Sequence, residues 1–308
     1  MKDLIEQFLE ALQASDRAPS TVSAYRNDLT LFARWFEQTN GQPITLESVT
    51  PTDIRDFRQH GLLVERRKAA TVNRRLAAIS ALFTWAQKSG QISYNPAVDI
   101  NQVETEPLAP RSLDRLEQNR LERAIEAENQ LAFDLPVRSI THKRDGALVQ
   151  FLLHTGLRLS EALNLRLGDL TLGERSGSVL IRHAKRTRQR SIPLNDAVRK
   201  SLQAWLVVRP QNGSDRLWLA TEGKGHGSLS SRTVQRMFKR LAQRANLDPA
   251  ALTPHVMRHT FARNLIDRGE SIQVVARLLG HGSLETTRRY IQPSERDLEK
   301  AVQRLVER

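Results

Sequence analysis

Residues 253–291, TPHVMRHTFARNLIDRGESIQVVARLLGHGSLETTRRYI, gather His255, Arg258, His259, His281 and Tyr290. Imidazole exchanges protons near neutral pH, and guanidinium stays charged and binds anionic oxygens with a planar fork. That is an unusual collection for a packing core. Thr253-Pro254 reads as a helix N-cap with proline at the first helical position. His255 and Arg258, three apart behind it, would then share one helix face. His281 lies between two glycines, in a turn between short helical stretches. Tyr290 closes a stretch that starts at a second cap, Ser283, and stops before Pro293. Three histidines could instead ligate a metal, and His255 and His259 have a zinc-like helical spacing. The glutamate of a metalloprotease motif is missing, because residue 256 is valine. The preferred reading therefore has no metal and no cofactor.

These residues need elements to position them, and composition bounds what those can be. The chain has 308 residues, which suits two domains. Its 47 Lys and Arg against 34 Asp and Glu give a net charge of +13, which points to a polyanionic partner, most commonly nucleic acid. The excess is uneven. Residues 1–106 carry 12 basic against 13 acidic side chains, and the remainder carries 35 against 21. Cysteine is absent, which excludes disulfides, a thiol nucleophile and cysteine-ligated zinc. No apolar run approaches the ~20 residues of a membrane span, and the start, MKDLIEQFLE, is unlike a signal peptide.

Apolar spacing predicts helices at 2–14, from Pro19, from Thr50-Pro51-Thr52-Asp53, and at about 69–88. The third begins at a capping-box-like motif with Asp in place of Glu. Val72, Leu76, Ile79, Phe83 and Ala86 should face inward on the fourth. Arg26, Arg67, Lys68, Arg74 and Arg75 form either a solvated face or a groove-contacting one. Residues 1–100 thus read as a four-helix domain, and 101–111, NQVETEPLAPR, as a linker. Beyond it, 112–308 should be mostly helical. Helices are predicted at about 112–128, 143–154, from Leu157 to Leu165, 196–207, 231–245 and 294–306. Residues 178–183 and 189–194 alternate as strands joined by a basic turn, AKRTRQR, so a small antiparallel sheet is expected.

Three stretches, TGLRLSE (155–161), HVMRHTFA (255–262) and LLGHGSLETTRRY (278–290), resemble the signature boxes of tyrosine recombinases. TVNRRLAAISALFTWA (71–86) resembles the last helix of the family's N-terminal core-binding (SAM-like) domain. The likeness covers most of the chain and is nearest to the short Xer-type and transposon-associated members. It implies transesterification at a DNA phosphodiester, without a cofactor. Tyr290 would attack the phosphorus and leave a 3′-phosphotyrosine, and its aryl leaving group permits reversal. Arg158 and Arg258 would hold the non-bridging oxygens. His255 would trade protons, His281 would hydrogen-bond an oxygen, and Glu161 and His259 would support the others from behind. The leaving-group lysine of the family corresponds to Lys185. Here this chain has Ala184-Lys185-Arg186 where the family commonly has Gly-Lys-Gly. Arg186, Arg188 and Arg190 would contact phosphates.

The resemblance further implies double-stranded DNA as partner, a tetramer or paired recombinase on that DNA, and a cytoplasmic place at the nucleoid with no membrane. It implies a two-domain clamp on DNA and exchange of the 294–308 helix between protomers. Two other activities use overlapping residues: DNA relaxation by a type IB topoisomerase, and DNA binding without chemistry.

Overall fold

The computed structural model describes residues 2–15, 17–104, 110–131, 136–182, 189–221, 227–280, 285–288 and 302. It divides into two compact units, Met1–Pro107 and Leu108–Arg308.

The first unit holds α1 (Lys2–Ala14), α2 (Pro19–Asn40), α3 (Pro51–Gln59) and α4 (Ala69–Lys88). Local chemistry sets their ends. Gly41 takes φ 68° and its N–H caps the Glu37 carbonyl, stopping α2. Thr50 and Asp53 form the capping box: the Asp53 N–H donates to Thr50 Oγ1 at 3.3 Å, and the Thr50 N–H donates to Asp53 Oδ2 at 2.8 Å. The predicted inward residues of α4 are all buried. They meet Phe8, Phe32 and Phe57, and the last two rings pack edge-on at 5.1 Å. Each buried apolar side chain of this kind contributes about 1.5–3 kcal/mol. A π-helical turn, His60–Val64, follows α3 and leaves Leu63 and Val64 exposed.

Two residues of the segment expected as a linker are fastened to this unit. Asn73 receives the Val103 N–H at 2.8 Å and donates back to the Val103 carbonyl at 2.9 Å. Arg58 donates to the Asn101 carbonyl at 2.9 Å.

The second unit opens with α5 (Arg115–Leu131) and α6 (Pro136–Thr155). Sequence periodicity placed the start of α6 near 143, with an irregular stretch around Pro136. The helix instead begins at Pro136, where the missing N–H costs nothing. α7 (Leu159–Leu163) leads to a three-stranded antiparallel sheet, β1 (Leu170–Leu172), β2 (Gly177–Ile181) and β3 (Arg190–Pro193), in that order. β2 and β3 are the two predicted strands, and Val179 pairs with Ile192 across them and with Leu170 on β1. β1 was not foreseen, since three residues are too few to show alternation. α8 (Asp196–Val208), α9 (Ser231–Arg244), α10 (Pro254–Asp267), α11 (Ile272–Leu279) and the short α12 (Glu285–Arg288) follow.

The core of this unit lies around α6, where Leu148, Val149, Phe151 and Leu152 are fully buried. Trp205 and Trp218 stack at 6.4 Å, and the Trp205 indole N–H donates to the Leu217 carbonyl. A buried charge cluster joins three helices. Arg240 on α9 holds Glu128 of α5 with two bonds of 3.0 Å and Asp145 of α6 at 2.6 Å. Arg244 also reaches Glu128 at 2.9 Å, and Arg144 pairs with Asp145 at 2.6 Å. Both carboxylates are buried, so unpaired they would be costly.

Candidate active site

Thr253 caps α10 through its hydroxyl, which accepts the Val256 N–H at 3.3 Å, and Pro254 is the first helical residue. This start sets the helix phase. His255 falls in the exposed first turn, and Arg258 falls on the buried side with 4% exposure. His259 is half-buried, one turn beyond His255. Val256, Met257, Phe261 and Ala262 anchor the helix in apolar surroundings.

Arg258 reaches two carbonyls from other segments. Nη1 donates to Gly156 O at 2.6 Å and Nη2 to Leu279 O at 2.9 Å. Gly156 ends α6 with φ 62°, and a Cβ there would lie 2.3 Å from Phe261 Cδ1 and 2.9 Å from Leu279 Cδ2. Only glycine lets the chain turn there against α10 and α11. Arg158 follows two residues later, at the start of α7, with 43% of its side chain exposed.

Glu161 organises the next layer. Its carboxylate accepts the Arg158 backbone N–H at 2.9 Å and a longer contact from Arg158 Nη1 at 3.4 Å. Arg190, at the start of β3, grips both oxygens at 3.0 Å each. Its Nε donates to Leu278 O at 3.2 Å. Burial pushes the Glu161 carboxyl up, but the hydrogen bonds from Arg190 and the Arg158 N–H, with both positive charges, outweigh it. The carboxyl is held below its ordinary value.

The predicted residues thus divide. Arg158, Glu161, His255, Arg258 and His259 sit on segments brought together by these bonds. Lys185, Arg186, Arg188, His281, Tyr290 and, apart from the exposed Val302, the expected C-terminal helix lie outside the described residues. Among the described residues, no group of three or more His, Asp or Glu side chains could hold a metal ion. None of the described helices is long and apolar enough to cross a membrane.

Two residues expected at phosphates are engaged within the protein. Arg190 has only 11% of its side chain exposed and is committed to Glu161 and Leu278. Arg75 is 6% exposed, pairs with Glu65 at 2.9 Å and lies over the Phe57 ring. Burial and ion pairing make it a support of the first unit's core. Lys68 is exposed, Arg67 is exposed beside Glu65, Arg26 pairs with Glu6, and Arg74 pairs with the buried Asp28. Sequence reasoning did not find the carbonyl contacts of Arg258 or the grip of Arg190 on Glu161. The two unusual glycines beside them, Gly156 and Gly280, were the available signal.

Comparison with known proteins agrees with this architecture in both units. Residues 114–296 match the Phage integrase family, and residues 5–90 match its N-terminal SAM-like domain. Tyrosine recombinase XerC of Corynebacterium efficiens is 31% identical over 306 residues, covering 98% of this chain and 90% of that protein. Tyrosine recombinase XerD of Rhizobium meliloti is 30% identical over 300 residues, covering 97% and 93%. Among solved structures, the XerH site-specific recombinase bound to palindromic difH substrate, a post-cleavage complex, shares the fold. It has a TM-score of 0.74 at 22% identity and covers 91% of this chain and 78% of that one. Since relatives match it over nearly its whole length, and the catalytic and N-terminal families each match their own unit, this chain belongs to the phage integrase family as a tyrosine recombinase, an enzyme that cuts and rejoins DNA strands.

Proposed function

We propose that this recombinase uses Tyr290 as nucleophile on a DNA phosphodiester at a specific site. The hydroxyl attacks phosphorus, the 5′-oxygen leaves, and a 3′-phosphotyrosine bond conserves the energy needed to rejoin a second strand. Arg158 and Arg258 bind the non-bridging oxygens as charge grows on them, each contributing about 3–4 kcal/mol to lowering the barrier. His255 exchanges protons at the tyrosine or a phosphoryl oxygen, His281 hydrogen-bonds a second oxygen, and Lys185 protonates the leaving 5′-oxygen. Glu161 and His259 orient these groups.

The observation that best supports this reading is the reach of Arg258 to Gly156 and Leu279, which draws the segments carrying Arg158 and leading to His281 onto α10. Kinship with tyrosine recombinases favours strand exchange over relaxation of one duplex, and over binding without chemistry.

The partner is double-stranded DNA in the cytoplasm. Exchange between two duplexes uses four tyrosines, so the working assembly is a tetramer or a paired recombinase, with residues 294–308 joining protomers. Deleting 294–308 should abolish cooperative assembly on DNA while the monomer still folds. Unchanged assembly would refute that role.

A covalent-trapping assay tests the chemistry. Labelled duplexes from around the gene, nicked near inverted repeats, are incubated with protein and denatured in SDS. A DNA-linked species made by wild type and absent with Tyr290→Phe is expected. One that survives Tyr290→Phe would show that the nucleophile is another residue.

A further inference from the structure

We propose that Arg190 is a positioning residue for strand cleavage, holding the segments that present Arg158 and lead to His281 in their reactive arrangement. The proposal rests on the roles given above to those residues.

Four observations carry it. Arg190 is anchored by the sheet, where it pairs with Ile181 of β2. Its guanidinium then leaves the strand and meets both oxygens of Glu161 at 3.0 Å. Its third contact, Nε to the Leu278 carbonyl at 3.2 Å, lies at the end of α11, three residues before His281. Finally, Gly280 takes φ 66°, and a Cβ there would stand 2.6 Å from Arg190 Nη1. The bare backbone admits the guanidinium.

The geometry has a direction. Glu161 accepts the Arg158 backbone N–H and also meets its guanidinium, so the place of the Glu161 carboxylate fixes the first helical turn that carries Arg158. Arg190 fixes the carboxylate. A planar fork holds two carboxylate oxygens and a carbonyl in one fixed geometry, whereas an ammonium is a compact charge with three rotating donors and does not fix it. Arg190 therefore sits between the hairpin, the Arg158 turn and the α11 terminus, and acts on the phosphate through Arg158. Removing one partner of a mostly buried Arg–Glu pair strands the other's charge, so stability has to be read beside the rate.

The test is single-turnover cleavage of a nicked duplex by wild type, Arg190→Gln, Arg190→Lys and Glu161→Gln. DNA affinity and thermal unfolding are measured beside it. Misplacing a catalytic group by about 1 Å costs on the order of 100-fold in rate. Both Arg190 variants should therefore cleave about 100-fold more slowly while binding DNA within about twofold of wild type. Lysine should fail to rescue. The same duplex with a methylphosphonate at the scissile position replaces one non-bridging oxygen and removes the negative charge that Arg158 would meet. On it the defect should shrink by about tenfold or more, a change that general loss of structure would not produce.

Wild-type cleavage by Arg190→Gln overturns the proposal. So does a defect that follows lost affinity and lost thermal stability and is equal on both substrates. If Arg190→Gln does not fold, Glu161→Gln carries the same expectation, and a normal rate there also overturns it. If wild type forms no adduct, the roles assigned above fall and this one with them. If wild type cleaves and Arg190→Gln matches it, this one alone falls.

Discussion

The guanidinium of Arg258 donates to the carbonyl of Gly156 at 2.6 Å, across 102 residues of sequence. A second bond to Leu279 makes the same side chain a strut between three helices. Arg158, the other proposed phosphate clamp, is 43% exposed. The two arginines therefore share a proposed task and differ in what the fold asks of them.

That difference is measurable. Arg258→Ala strands two buried carbonyls and should destabilise the second unit by about 1–3 kcal/mol for each. Arg158→Ala should change stability by no more than about 0.5 kcal/mol, as surface substitutions do. Both should slow cleavage by about 10²–10³-fold. Urea unfolding beside single-turnover cleavage separates the cases, and an Arg258→Ala protein as stable as wild type would contradict the strut.

Gly156 makes a sharper prediction about local geometry. Gly156→Ala forces a side chain into positive φ and into Phe261 and Leu279, and should cost about 2–5 kcal/mol. Gly41→Ala provides the control. Its φ of 68° is nearly the same, but nothing lies within 4 Å of the added methyl. Only the backbone strain remains there, about 1–2 kcal/mol. Equal losses by denaturant titration would mean that contact with Phe261 is relieved cheaply.

Acidity should act through Glu161. Its carboxyl is held below the ordinary range in the folded chain, so between the folded and unfolded values the unfolded chain binds more protons. Stability therefore rises with pH through that window and is lost as pH falls through the folded value. The advantage of wild type over Glu161→Gln should be full at about pH 7 and should shrink as pH falls below the ordinary carboxylate range. Unfolding curves for both proteins across that range check this, and an advantage that grows on acidification would reverse the assigned direction.

Binding to DNA should weaken steeply with salt, by about −0.9 in log–log slope for each phosphate neutralised. If exposed Lys68 meets a phosphate, Lys68→Ala should flatten the slope by about 0.9 and leave the fold intact. Arg75→Ala should instead lower the unfolding midpoint, because that side chain is buried against Glu65 and Phe57. Fluorescence anisotropy across a salt series distinguishes the two.

Local rules made much of this molecule legible. The 3.6-residue spacing of Val72, Leu76, Ile79 and Phe83 located α4, and Thr50 with Asp53 announced a capping box. Thr253-Pro254 marked the start of α10, although His255 and Arg258, three apart, divide between solvent and core. Charge was harder to read, because an arginine looks the same in sequence whether it faces water or a carboxylate. Arg190 sits in a run of basic residues and belongs to Glu161, 29 positions away. Arg74 likewise belongs to Asp28, on a different helix. Such pairings arise only when separate elements meet. The start of α6 at Pro136 and the three-residue β1 were missed for the opposite reason: their local signals were too short.

The buried cluster of Glu128, Asp145 and Arg240 imposes an order on biosynthesis. Glu128 and Asp145 leave the ribosome 112 and 95 residues ahead of Arg240. Until α9 emerges, Asp145 has Arg144 beside it, but closing α5 on α6 would bury Glu128 without the arginines that pair with it. The seat of Glu128 is therefore completed only when α9 arrives with Arg240 and Arg244.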